Sequence, residues 1–136
     1  MDEFAFILKD GKVVDVQAKT GESVLRRLIK TDKGASHLGE IALVPNSSLV
    51  SQMDLLFYSI LVDENAASHI ALGSSYKFSI EGGREMTDEE FTAKGGNPSV
   101  VHIDFMFGSE NMDVDGITKD AAVEPIMRAG EWTFEV

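Results

Sequence analysis

Apolar and polar positions alternate most clearly over Ser99–Gly108, SVVHIDFMFG. A period of two predicts a β-strand with two unlike faces. Val101, Ile103, Phe105 and Phe107 fall on one face; Val100, His102, Asp104 and Met106 fall on the other. Near the start, Phe4–Leu8 and Val13–Val16 flank Asp10-Gly11, which predicts an antiparallel hairpin. The period then becomes helical. Thr20 is placed to cap this helix, Val24, Leu25, Leu28 and Ile29 make its apolar stripe, and Gly34 marks its exit.

Leu38–Val44 is a short apolar run with Glu40 as its one carboxylate, ended by Pro45-Asn46. Ser51 and Asp54 resemble a capping box opening Met53–Val62, whose composition leaves helix and strand both open. Asp63 is placed to cap the small-residue segment Asn65–Leu72, with Gly73 where a helix would stop. Tyr76–Ile80 reads as a strand and Glu81-Gly82-Gly83 as a turn. Thr87 and Glu90 form a capping box for a helix ended by Gly95-Gly96. After the 99–108 strand come a loop, Ser109–Gly116, and a closing strand within Val123–Val136 that carries Trp132 and Phe134. Strands and helices mix without regular βαβ alternation. The predicted class is α+β, a mixed, largely antiparallel sheet with short helices packed on it, as a single domain over 1–136.

Composition narrows the function classes. Of 136 residues, 43% are hydrophobic and 26% charged, ordinary for a globular chain able to bury a core. The absence of cysteine removes disulfides, thiolate nucleophiles and thiolate zinc sites together. No apolar run spans a bilayer and MDEFAF lacks the basic start of a secretory signal, so a cytoplasmic chain with no membrane partner is expected. A net charge of −11 repels phosphate backbones and disfavours nucleic acid. Acidity keeps the chain soluble, and it also favours cations, whether metal or a ligand's ammonium group. There is no Gly-x-Ser-x-Gly elbow and no phosphate-binding glycine motif.

The strand face carrying His102 and Asp104 is the main chemical signal. Two half-buried polar groups side by side need partners: each other, a shared metal, or a third group. His-x-Asp offers nitrogen and oxygen donors that suit zinc, cobalt or manganese; an internal salt link fits the spacing equally. Glu40 fits a ligand or general base, and fits an outward-facing edge residue as well. His37 and His69 are lone histidines, each compatible with a structural role. Tyr76 alone reads as a strand residue with its hydroxyl at the surface. Asp63-Glu64-Asn65 reads more simply as a helix cap than as a metal cluster. Asp113-Val114-Asp115-Gly116 lacks the closing glutamate of a calcium loop and reads as a turn.

Taken together, Leu38-Gly39-Glu40, the run DENAASHIALG at 63–73 with Tyr76, VHIDFM at 101–106 and MDVDG at 112–116 resemble the aminopeptidase T / aminopeptidase S family of two-metal aminopeptidases. The resemblance covers nearly the whole chain and lies in the C-terminal, catalytic part of such enzymes, with their N-terminal domain absent. It implies Glu40, His69, Tyr76, His102 and Asp104 as ligands of two divalent metal ions (Zn, Co, Mn or Mg). It implies catalytic roles for Glu40, as proton shuttle, and for Tyr76, as weak ligand or oxyanion donor. Peptides with a free N-terminus would be the substrates, and a homodimer in the bacterial cytoplasm the setting. A further ligand glutamate belongs upstream of this region, so impaired hydrolysis is expected. A non-catalytic dimerisation or scaffold module retaining the peptidase fold is the alternative reading, and a calcium-binding module on Asp113 and Asp115 a third.

Overall fold

The computed structural model describes residues 2–135. In chain order the elements are β1 (Asp2–Lys9), β2 (Lys12–Thr20), α1 (Glu22–Leu28), β3 (Leu38–Ala42), α2 (Leu49–Met53), α3 (Ile60–Asp63), β4 (His69–Gly73), α4 (Asp88–Ala93), β5 (His102–Met106), β6 (Val114–Ile117), β7 (Val123–Arg128) and β8 (Glu131–Trp132). The class is the expected α+β, but the strands fall into three small sheets, β1-β2, β3-β4-β5 and β6-β7-β8. The chain up to Ile41, with Ile70–Asp104, forms one compact unit; Ala42–His69 and the chain from Phe105 onward form another. Among the described residues no helix is long and apolar enough to cross a membrane.

In the first unit, Asp10 and Gly11 both take positive φ (52° and 74°), the turn that an Asp-Gly pair favours between twisted strands. The register of β1 on β2 shifts between Ile7 and Leu8. That bulge lets Val13 and Val16, three residues apart, both face the buried side. Thr20 does not cap α1. It ends β2, and Gly21, left-handed at φ 82°, takes the cap position with no side-chain acceptor. Glu22 supplies the anchoring instead: it accepts from the Ala18 amide at 3.3 Å and from Arg26 Nε at 2.7 Å. Arg26 in turn reaches Asp15 at 3.0 Å and the Val16 carbonyl at 2.5 Å. Its guanidinium holds the Asp15 and Glu22 carboxyls below the usual carboxylate range. Leu25 is buried on the opposite side of the helix from solvent.

β3 is hooked to the hairpin by Val13 N–H on the Ser36 carbonyl (2.7 Å) and Leu38 N–H on the Gly11 carbonyl (2.9 Å). The segment expected as a helix over 65–72 is a strand from His69 onward, after a 3₁₀ turn at Glu64–Ala66 and an extended Ala67. Its alanine and glycine content reflects burial as the central strand β4, where neighbours approach closely, and this outweighs local helix propensity. Tyr76–Ile80 is also not a strand: Lys77–Ser79 make a 3₁₀ turn, with Lys77 Nζ tied to the Met86 carbonyl and to Asp88, each at 2.8 Å. The capping box of α4 is present as expected, Thr87 Oγ1 taking the Glu90 amide and Glu90 taking the Thr87 amide. Phe91 is buried beneath it and Gly95, at φ 93°, follows the helix end.

Asp32 ties two loops of this unit together. Its carboxylate accepts from the amides of Gly34, Ala35 and Val100, each at 2.8 Å, and from the Ser99 hydroxyl at 3.0 Å. The Val100 amide, followed by Ser99, Ala35 and Gly34, holds this carboxyl below its usual value. An unfolded aspartate titrates near ~3.9, above the folded group, so the unfolded chain binds the proton first. Ionised Asp32 therefore contributes stability above that value, and the contribution is lost as pH falls through the lower, folded value. We expect thermal midpoints to hold steady down to about pH 5 and to decline below about pH 4, with a shallower decline in Asp32→Asn. Identical acid slopes in the two proteins would remove Asp32 from this account.

In the second unit, Ser48, not Ser51, caps α2 by accepting the Ser51 amide at 3.2 Å, and Asp54 is the left-handed residue that ends it. Met53–Val62 is thus neither one helix nor one strand: Met53 ends α2, an irregular stretch follows, and α3 begins only at Ile60. Asp63 reaches backward and not forward: its two oxygens take the Phe57 and Ser59 amides at 2.8 and 2.9 Å. Leu55, Leu56, Tyr58, Ile60 and Leu61 are exposed. The expected 109–116 loop ends early, because Val114 begins β6 and pairs with Met127 of β7. The single closing strand is a hairpin, β7 and β8 turning at Ala129 and Gly130, with Met127 fully buried. Asp113 accepts the Ala129 amide at 2.9 Å and Asp115 pairs with Arg128, so both carboxylates serve this hairpin and not a calcium loop.

Candidate metal centre

The strand predicted over Ser99–Gly108 is trimmed to β5, and its two faces hold only in part, since Ile103 is half-buried and Phe107, beyond the strand, is exposed. Val101 and Phe105 are buried, Val100 and Met106 are exposed, and His102 and Asp104 lie between these extremes. Glu40 stands in the middle of β3 and is half-buried. These three side chains meet. His102 Nε2 lies 3.4 Å from Glu40 Oε2 and 3.4 Å from Asp104 Oδ1, with side-chain exposures of 14–26%. One donor atom from each falls within 4.8 Å of the others.

Hydrogen bonding bears on the readings that the sequence left open. Nδ1 of His102 is 2.7 Å from the Ser74 carbonyl, and a carbonyl can only accept, so Nδ1 carries the proton. Nε2, on the far side of the ring, is aimed at two carboxylates and is the ligand nitrogen of a neutral ring. Neither His102 Nε2 nor Asp104 Oδ1 makes a hydrogen bond. A salt link from an imidazolium would draw Nε2 to about 2.7–2.9 Å from an oxygen. Donors placed ~2.0–2.2 Å from a shared tetrahedral cation instead stand roughly 3.3–3.6 Å apart. The observed 3.4 Å spacing and the mixed N/O donor set fit a divalent ion.

Tyr76 stands beside this group. Its ring lies 4.8 Å from the His102 ring and stacks on Phe78 at 5.0 Å. His69 belongs to the second unit, where it is buried and its Nδ1 donates to the Ala67 carbonyl at 2.9 Å, the same tautomer as His102. His37 is occupied differently: its backbone takes the Gly73 amide at 2.8 Å. The Ser74 carbonyl, which fixes the His102 tautomer, could not be found from the sequence. A backbone acceptor leaves no mark in residue identity.

The family model described as thermophilic metalloprotease (M29) matches residues 1–132. The chain is 48% identical over 134 residues to Aminopeptidase AmpS of Bacillus subtilis, covering 98% of this chain and 33% of that protein. Against Aminopeptidase T of Thermus thermophilus it is 51% identical over 122 residues, 90% of this chain and 29% of the relative. The solved structure of wild-type AmpT from Thermus thermophilus superposes with a TM-score of 0.81 at 49% identity, over 95% of this chain and 31% of that one. The chain thus spans about a third of the length of the curated relatives it matches. A family match running almost from end to end, with relatives near half identity along it, decides the assignment: the chain belongs to the thermophilic metalloprotease (M29) family.

Proposed function

We propose that this chain carries cation-holding and proton-handling residues of a metallo-aminopeptidase that removes the N-terminal residue of peptides. One observation carries the reading: an imidazole nitrogen and two carboxylates converge, and His102 Nε2 and Asp104 Oδ1 take no hydrogen bond there. Glu40, His102 and Asp104 would hold a divalent ion. The resemblance adds His69 and Tyr76 as ligands and a second ion, drawn from zinc, cobalt, manganese or magnesium. The chemistry supplied by divalent ions in such a setting is Lewis-acid polarisation of the scissile carbonyl and activation of water. Glu40 moves the proton from attacking water to the departing amine. Tyr76, its ring against His102, donates its hydroxyl to the carbonyl oxygen as negative charge builds. The excess of 23 acidic over 12 basic residues favours a substrate with a free ammonium terminus.

A second reading, a non-catalytic dimerisation module, draws support from the exposed Leu55, Leu56, Tyr58, Ile60 and Leu61, which a second copy of the chain would cover. Cobalt titration, hydrolysis of a leucine anilide and sedimentation at several concentrations separate the two. Cobalt binding that His102→Ala weakens at least ~100-fold is the expected result. No cobalt binding, in a chain that dimerises, would hand the function to the second reading.

A further inference from the structure

Resting on the metal-centre reading, we infer that Asp32 is a positioning residue that aims the His102 imidazole at Glu40 and Asp104. The three donors come from β3 and β5, and the loops entering both strands are fastened to this one carboxylate. Gly34 and Ala35, on the way into β3, give it their amides; Ser99 and Val100, on the way into β5, give it a hydroxyl and an amide. A relay of hydrogen bonds runs on from there. Ser99 Oγ accepts the Val101 amide at 3.0 Å, the Val101 carbonyl accepts the Ser74 amide at 2.6 Å, and the Ser74 carbonyl accepts His102 Nδ1–H at 2.7 Å. Asn97 closes the ring, its Nδ2 donating to the Gly34 and Gly73 carbonyls at 2.9 and 2.6 Å.

The bond made by one imidazole nitrogen sets the tautomer and aim of the other. The Ser74 carbonyl is therefore the rudder of His102, and its position depends on Val101. Without the Asp32 carboxylate, the Gly34, Ala35 and Val100 amides lose their acceptor and Ser99 Oγ is released to rotate. Val101 then loosens, Ser74 follows, and His102 samples the other tautomer. Asp32 makes none of the hydrogen bonds of the donor atoms, so its influence passes through the Ser99 hydroxyl and the backbone beyond it.

The test uses the whole chain, with two readouts: imidazole ¹⁵N shifts of His102 in the metal-free protein, assigned by loss in His102→Ala, and the dissociation constant for cobalt(II). The native chain should show one Nδ1–H tautomer. Asp32→Ala should show a mixture and bind cobalt about 10–100-fold more weakly. Ser99→Ala should move both readouts the same way by less. Asp32→Asn, which keeps a carbonyl acceptor, should fall between the native chain and Asp32→Ala. Leu25→Ala, a core truncation outside the relay, should lower the melting temperature while leaving tautomer and affinity unchanged. A folded Asp32→Ala with native tautomer and native affinity would overturn the inference, and Ser99→Ala decides it by the same criteria should Asp32→Ala not fold. Failure of the native chain to bind cobalt would sink the metal centre alone, since the tautomer measurement still judges Asp32.

Discussion

Asp104→Asn should raise the melting temperature of the metal-free chain while weakening cobalt binding. The opposed signs follow from the geometry. In a neutral His102 with no cation bound, Nε2 points its lone pair at Asp104 Oδ1 from 3.4 Å, with the Glu40 carboxylate as near. Acceptors facing acceptors in a half-buried setting are destabilising, and they persist in enzymes because a ligand needs them. An asparagine removes one negative charge and brings two N–H donors into the group. We expect a gain of roughly 1 kcal/mol, seen as a rise of about 2–5 °C in the metal-free melt. Cobalt affinity should fall at least ~100-fold, because an amide oxygen is a far poorer ligand than a carboxylate. With saturating cobalt the order of melting temperatures should reverse, since only the native chain gains the full stabilisation of a bound ligand. If His102 were an imidazolium held by its two carboxylates, Asp104→Asn would lower the metal-free melting temperature instead. The sign of that one shift separates the two chemistries.

Much of this site was legible as residue types and little of it as geometry. The period of two over Val101–Met106 placed His102 and Asp104 on one strand face, and the structure keeps them there because Val101 and Phe105 fill the other. A strand cannot announce which distant strand it will meet, so nothing in Leu38–Val44 alone brought Glu40 to His102. The errors cluster where tertiary burial overrode local preference. Alanines at 66, 67 and 71 favour helix, but the chain from His69 is buried as the middle strand of its sheet. The reciprocal cap of Thr87 and Glu90 is legible in the sequence, whereas the glycine cap at Gly21 and the one-way cap of Ser48 are not. Asp32 lies two residues before Gly34, an ordinary turn signal; that its carboxylate also fastens Ser99 and Val100 depends on a contact across more than sixty residues. Local patterns can place such a residue in a loop without disclosing what it holds.

The second large effect is expected at Gly73, where β4 passes between its neighbours just before the carbonyl that orients His102. Gly73 sits at φ +104°, a conformation side-chain-bearing residues rarely adopt, and a Cβ there would lie 2.0 Å from the Val101 carbonyl oxygen and 2.6 Å from its carbon. Both obstacles are backbone, so no rotamer change relieves them. The approach from β3 is as close, since a Cβ on Gly39 would come within 2.4 Å of the Gly73 oxygen. Gly73→Ala must therefore push the strand aside and break Gly73 N–H to the His37 carbonyl (2.8 Å) or Ser74 N–H to the Val101 carbonyl (2.6 Å). We expect a loss of about 3–5 kcal/mol and a fall of at least ~10 °C in melting temperature, with cobalt binding lost in any folded remainder. Gly11→Ala is the matched comparison: φ is +74° and nothing lies within 4 Å of its would-be Cβ, so it pays backbone strain alone, about 1–2 kcal/mol. The gap between the two variants measures the close packing of strands around β4. Melting temperatures within ~3 °C of each other would show that left-handed backbone, and not crowding, is what requires glycine at position 73.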